Sequence, residues 1–148
     1  MKSSRNEGFS LLEMMVTLVI ISILLTIALP SYTSYLIRSR RIDATVGLIL
    51  AAQTLERYNT EHNNYTGATL GSGGIYPSTS PNGFYTLTLT VNRNTTLPVG
   101  SSYVLQASPT GSQAADTECG IYTLDETGFR TATSLSDPDT LAKCWIAR

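Results

Sequence analysis

The sequence is short of charge and of the residues that do chemistry. Only 14% of its 148 residues are Asp, Glu, Lys or Arg, against about 25% in an average soluble domain. The two signs nearly cancel, Lys+Arg 10 against Asp+Glu 11 for a net charge of −1. Such a balance argues against a protein that grips nucleic acid by bulk charge alone. A single histidine, His62, leaves no histidine-based metal centre or catalytic triad. The chain therefore reads as a non-enzyme, with no cofactor and no metal expected. Its length fits one domain and excludes a multidomain enzyme.

Apolar residues are present but unevenly spread. Met14–Leu29 carry no charge at all, and Phe9–Leu29 carry only Glu13. Twenty-one helical residues span roughly 31 Å, about the hydrocarbon thickness of a bilayer. Lys2 and Arg5 precede this run and Arg38, Arg40 and Arg41 follow it, so counting flanking cations gives no orientation. A conventional secretory signal has a shorter apolar core and a small-x-small cleavage site; the run here is longer, and Ala28-Leu29-Pro30-Ser31 fits that site poorly. Glu13 is out of place in such a segment, because a carboxylate inside a bilayer costs on the order of 2.5–3.5 kcal/mol. Either it snorkels to the headgroups from its place near one end, or it waits for a positive charge on a neighbouring chain.

Helical periodicity continues past Pro30. Ala44, Leu48, Ala51, Leu55 and Tyr58 recur at spacings of 4, 3, 4 and 3, and Ile42, Val46 and Ile49 are taken to broaden that stripe. One interrupted helix from Ser10 to about Glu61 follows, apolar all round in its first half and amphipathic in its second. Pro30 would kink it, since proline lacks the amide donor a helix interior needs. Gly47 is a second weak point, or a place where backbone packs closely on a sheet. Residues 62–83, with Gly67, Gly71, Gly73, Gly74, Pro77 and Pro81, read as a connecting loop. Residues 84–148 alternate with period two over Phe84–Val91, with Tyr85, Leu87, Leu89 and Val91 directed at the helix. Further strands are expected at Tyr103–Ala107, Gly120–Leu124 and Phe129–Thr133, the last two joined by the turn Asp125-Glu126-Thr127-Gly128. Four antiparallel strands in a meander against one long helix make the fold class α+β.

Gly8-Phe9-Ser10-Leu11-Leu12-Glu13, behind a basic leader and ahead of a long apolar run, closely resembles the type IV prepilin signature. The resemblance to class IVa pilins implies several roles. Residues 1–8 would be a leader removed by a prepilin peptidase between Gly8 and Phe9, and Phe9 would become N-methylphenylalanine. Residues 9–29 would be the transmembrane and assembly helix and residues 30–61 its amphipathic half. Glu13 would neutralise the Phe9 amine of an adjacent subunit. Partners would be other pilins, the peptidase and the inner-membrane assembly machinery. The subunit would rest in the inner membrane as a single-pass protein and later join an extracellular pilus. Cys119 and Cys144 are the only cysteines; in an exported domain an even pair is read as a disulfide, the alternative being two free buried thiols. The resemblance favours the disulfide, bounding the so-called D-region at 119–144, and closure of 24 intervening residues would contribute about 3–4 kcal/mol.

Ser39-Arg40-Arg41, Leu55-Glu56-Arg57-Tyr58 with Asn64-Tyr65, Cys119-Gly120-Ile121-Tyr122-Thr123-Leu124 with Thr127-Gly128, and Cys144-Trp145 look like the PilE-type minor pilins. The resemblance implies a minor subunit that helps assembly, and thereby adhesion, twitching motility or DNA uptake. Three alternatives share the assembly features: the major filament subunit, a DNA-uptake receptor pilin, and a type II secretion pseudopilin. For the receptor, Arg93, Arg130, Lys143 and Arg148 would supply the electropositive patch, although residues 31–148 hold eight Lys/Arg against nine Asp/Glu. Arg38, Arg40 and Arg41 read as a solvated collar at the headgroups or as inter-subunit ion pairs. Asp137-Pro138-Asp139 reads as a turn rather than a calcium loop. Asn64-Tyr65-Thr66 and Asn94-Thr95-Thr96 read as loop chemistry, Tyr122 and Trp145 as packing residues, and His62 as a solvated residue near a helix end.

Overall fold

The computed structural model describes residues 8–92, 96–132 and 138–145. The chain forms two compact units, Met1–Leu36 and Ile37–Arg148. Helix α1, Leu11–His62, begins in the first and ends in the second. Pro30 lies inside it, and the helix continues on both sides. In the first unit the hydroxyls along the helix bond back to its own carbonyls: Thr17 to Met14 (2.9 Å), Ser22 to Leu18 (2.7 Å) and Thr33 to Pro30 (2.9 Å). Their polar groups are thus satisfied without water, as an apolar surrounding demands. At the other end Asn63 takes φ 58 and its amide bonds the Asn59 carbonyl at 2.7 Å, which terminates the helix.

In the second unit α1 buries Ala44, Leu48, Ala51 and Leu55, the side its periodicity selects. Ile42, Val46 and Ile49 do not broaden that side; they remain 36–48% exposed. At 100° per residue they fall roughly 155° away from it, on the opposite surface of the helix. Packed on the buried side is a four-stranded antiparallel meander in the order β1-β2-β3-β4: β1 Tyr85–Val91, β2 Tyr103–Pro109, β3 Tyr122–Asp125 and β4 Arg130–Ala132. Along β1, Tyr85 and Leu87 are buried, whereas Leu89 and Val91 are only half-buried. Gly47 is where the loop and sheet approach α1: a Cβ there would lie 3.3 Å from the Ser80 Cβ and 3.4 Å from the Leu87 Cδ1. Buried Asp43, one turn earlier, ties down the long loop by accepting from the Ser80 hydroxyl, the Asn82 amide (2.9 Å) and the Phe84 amide (3.2 Å).

Cys119 and Cys144 form a disulfide, with Cα atoms 5.7 Å apart and both residues buried. Two elements within and before the bridged segment were not expected, a 3-10 turn at Gly111–Ala115 and helix α2 at Pro138–Trp145. Pro138 opens α2 instead of marking a turn, because its fixed φ suits the first helical position and its missing donor is not needed there.

The Arg collar is also not as expected. Arg41 is buried, its Nε and Nη2 donating to the two Asp116 carboxylate oxygens at 2.8 Å each and Nη2 to Glu118 at 2.7 Å. Asp116 further accepts from the Cys119 amide at 3.2 Å and the Gln113 amide at 3.4 Å. Burial disfavours the guanidinium charge, but the hydrogen bonds and attraction of both carboxylates outweigh it, and the Arg41 pKa is raised. Arg40 lies 4.5 Å over the Phe84 ring and donates to Ser112 at 2.7 Å. Only Arg38 of the three stands exposed. Arg41→Ala would leave Asp116 charged, buried and uncompensated, so urea unfolding should show a loss on the order of 3–5 kcal/mol. A loss well under about 1 kcal/mol, typical of an exposed pair, would contradict this.

The largest buried side chains include Tyr85, Tyr103 and Tyr122. Tyr122 meets Tyr85 and Trp145 edge-on at 5.8 and 5.7 Å, and Tyr65 meets Tyr103 edge-on at 4.8 Å. Burial pushes the Tyr65 and Tyr85 hydroxyls up to about 12, helped at Tyr65 by its bond to Glu56. It raises Tyr103 and Tyr122 as well. The unfolded chain would release these protons near pH 10, so the native state binds more protons above that pH. Stability should be complete below about pH 10 and lost as the pH rises toward 12. An ultraviolet titration of the eight tyrosines should separate an early group from a late group that ionises together with unfolding. A single transition near pH 10 with the fold intact would contradict the burial argument.

Candidate functional site

The residues of the N-terminal signature lie where chemistry can reach them. Gly8, Phe9 and Ser10 precede the helix, and a Cβ at Gly8 would meet no atom within 4 Å. Phe9 is 76% exposed. Gly8 and Phe9 therefore lie outside the helix, with Phe9 largely exposed. Glu13 falls in the first turn of α1, where a negative charge complements the helix dipole. Beyond it the helix has a window of mean hydropathy 2.5 in which no residue is buried. Its leucines, isoleucines and valines from Leu11 to Leu29 are about half or more exposed. An apolar surface of that extent calls for lipid or neighbouring helices to cover it.

The second candidate region lies where α2 packs on β4. Arg130, the first residue of β4, is exposed and places its guanidinium 5.2 Å from the centre of the Trp145 ring. Trp145 is fixed in turn by donating from Nε1 to the Thr131 carbonyl at 3.1 Å. Lys143 is exposed on α2, one residue before the buried Cys144. The disulfide thus ties α2 to the segment entering β3, and Arg130 and Lys143 stand exposed on β4 and α2, the two elements that meet through Trp145. Arg93 and Arg148 lie outside the described residues.

Six carboxylates of this unit have partners of their own among the described residues. Asp116 and Glu118 face Arg41, and Asp43 caps the loop amides. Glu56 accepts from the Tyr65 and Tyr103 hydroxyls at 3.0 and 3.1 Å. Asp125 caps its own turn and Glu126 accepts the Tyr103 amide at 3.2 Å. Among the described residues no carboxylate lies within 4.0 Å of the Arg130 or Lys143 nitrogens. Glu56 and Asp43 were not singled out as structural acceptors in the sequence. The pattern Leu55-Glu56-Arg57-Tyr58 with Tyr65 nine residues on was the one available signal for Glu56.

Residues 3–29 match a family profile described as the prokaryotic N-terminal methylation motif. Residues 30–123 match one described as type IV minor pilin ComP, DNA uptake sequence receptor. No curated protein matches the chain. Among solved structures, a type IV pilin from Shewanella oneidensis is 27% identical over 68% of this chain and 99% of its own, with a TM-score of 0.49. The non-core minor pilin PilV of Neisseria meningitidis is 21% identical over 70% of this chain and 93% of its own, with a TM-score of 0.51, and shares the fold. With the second profile running from the middle of α1 into β3, over more than half of its length, the chain belongs to the type IV minor pilin ComP family.

Proposed function

We propose that this minor pilin is a DNA receptor carried on a type IV pilus. A prepilin peptidase cuts the open Gly8–Phe9 bond and the new Phe9 amine is methylated. The apolar half of α1 holds the subunit in the inner membrane until assembly, and Pro30 is where the helix loosens as it enters the filament. There Glu13 neutralises the Phe9 amine of a neighbouring pilin; two opposite charges in a low-dielectric bundle are costly to separate and so register one helix against the next. The β4–α2 face then meets DNA, with Arg130 and Lys143 on phosphates.

The observation that carries the receptor reading is the division of labour among charges. The net charge of −1 is a total over the whole chain: Asp116 and Glu118 are paired with Arg41, while Arg130 and Lys143 stand exposed with no carboxylate in ion-pair reach among the described residues. Non-specific affinity comes from phosphate neutralisation and counterion release, which needs outward cations rather than a high total. The family profile, described as a DNA uptake sequence receptor, supports the same reading.

The test is the salt dependence of duplex binding by the full chain in detergent. Each lost phosphate contact lowers the slope of log K against log salt by about 0.9. Arg130→Ala with Lys143→Ala should therefore flatten the slope by about 2 and weaken binding uniformly across sequences. An unchanged slope and affinity would remove these two residues from the interface.

A further inference from the structure

Beyond α1, the large apolar side chains left well exposed among the described residues are Leu97 (42%), Val99 (79%) and Phe129 (63%). All three stand at one end of the sheet. There β1 ends and β2 begins, with Val91 opposite Tyr103, and there β3 turns into β4, with Val104 opposite Asp125 and Leu124 opposite Arg130. It is also the end at which α1 finishes, since the Tyr65 amide donates to the Gly100 carbonyl at 2.8 Å. Single exposed apolar residues are ordinary, but several gathered on one end of a domain mark a contact surface.

Phe129 is held there by its backbone. The Asp125 carboxylate accepts from the Thr127 amide, the Thr127 hydroxyl and the Phe129 amide at 2.9, 2.6 and 2.9 Å. The Asp125 amide donates to the Phe129 carbonyl at 3.1 Å, and Gly128 takes the φ of 80 that closes the turn. The turn is fixed while the ring projects into solvent, which is an arrangement that keeps an aromatic group available at little ordering cost. The next residue is Arg130, stacked on Trp145. An apolar wedge beside a cation is how proteins open a base step, the wedge entering the stack while the cation holds the adjacent phosphate.

We propose that Phe129 is the base-contacting residue of this pilin, its ring entering a step of duplex DNA beside a phosphate held by Arg130, with Leu97 and Val99 covering the neighbouring groove wall. The proposal rests on the receptor reading above and assigns that site its non-electrostatic part. Steps that unstack cheaply, pyrimidine–purine above all, are the preferred entry points.

The experiment uses the full chain in detergent and a duplex carrying 2-aminopurine at a central TA step. The intact protein should raise the probe's fluorescence as the step opens. Phe129→Ala should bind about tenfold more weakly, give no fluorescence rise, and keep the salt slope of the unsubstituted protein; Phe129→Trp should restore both signals. If the unsubstituted protein shows no salt-dependent binding, the receptor reading falls and this proposal falls with it. If it binds with the expected slope but Phe129→Ala binds equally well and no step opens, the receptor stands and base contact by Phe129 is overturned. If Phe129→Ala leaves DNA binding unchanged and depletes the subunit from sheared pili, the apolar end is a contact between pilins and the proposal is likewise overturned.

Discussion

The side of α1 that faces the sheet carries a guanidinium where an aliphatic side chain would cost less to bury, and the rest of the domain is arranged around satisfying it. Arg41 reaches Asp116 through two parallel hydrogen bonds, a geometry that fixes orientation as well as distance. Asp116 in turn collects the Cys119 amide and Gln113, so the segment entering the disulfide is positioned by the same carboxylate. Cys119 binds Cys144, Cys144 anchors α2, and α2 delivers Trp145 beneath Arg130. The contacts thus run in sequence from Arg41 on the helix to the disulfide and on to the Trp145 ring that Arg130, placed by β4, lies over. A buried pair of this kind is weak evidence of net stabilisation against an apolar core; its clearer role here is to set register between helix and sheet.

Legibility in the sequence followed the range of the interaction. The buried stripe of Ala44, Leu48, Ala51 and Leu55 could be read because 3.6-residue periodicity is a local signal, and the Asp125–Gly128 turn because its residues cap themselves. The meander order followed from the tendency of strands consecutive in sequence to pair. The partners of Arg41 lie 75 and 77 residues away, and nothing local distinguishes a buried arginine from an exposed neighbour such as Arg38. Ile42, Val46 and Ile49 are as hydrophobic as the buried stripe, but their angular positions on the helix put them on its exposed side. Helix α2 is only 8 residues long, too short for periodicity to reveal, and it exists because the disulfide and Trp145 hold it. At the candidate sites the position of Glu13 was legible from its offset to Phe9. The stacking of Arg130 on Trp145 was not, since it depends on the short helix α2 packing on β4.

Charge totals mislead for a protein of this size. Ten cations against eleven anions suggest an indifferent surface, yet the charges are not evenly placed: Arg41 is paired with Asp116 and Glu118, whereas Arg130 and Lys143 stand exposed without a carboxylate partner among the described residues. The exposed Ile42, Val46 and Ile49 on the outer side of α1 add an apolar surface on the same helix that runs on into the membrane-length segment. The proposed function gives assembly and recognition to different residues: apolar helix surface and Glu13 for the filament, sheet end and β4–α2 face for DNA.

The most direct test of a processed, low-abundance subunit is quantitative mass spectrometry of sheared surface pili that also reads the N-terminus. The account predicts peptides beginning at a methylated Phe9, present at a small fraction of the dominant pilin. A chain retaining residues 1–8 in the filament, or one that forms the bulk of the fibre, would contradict it.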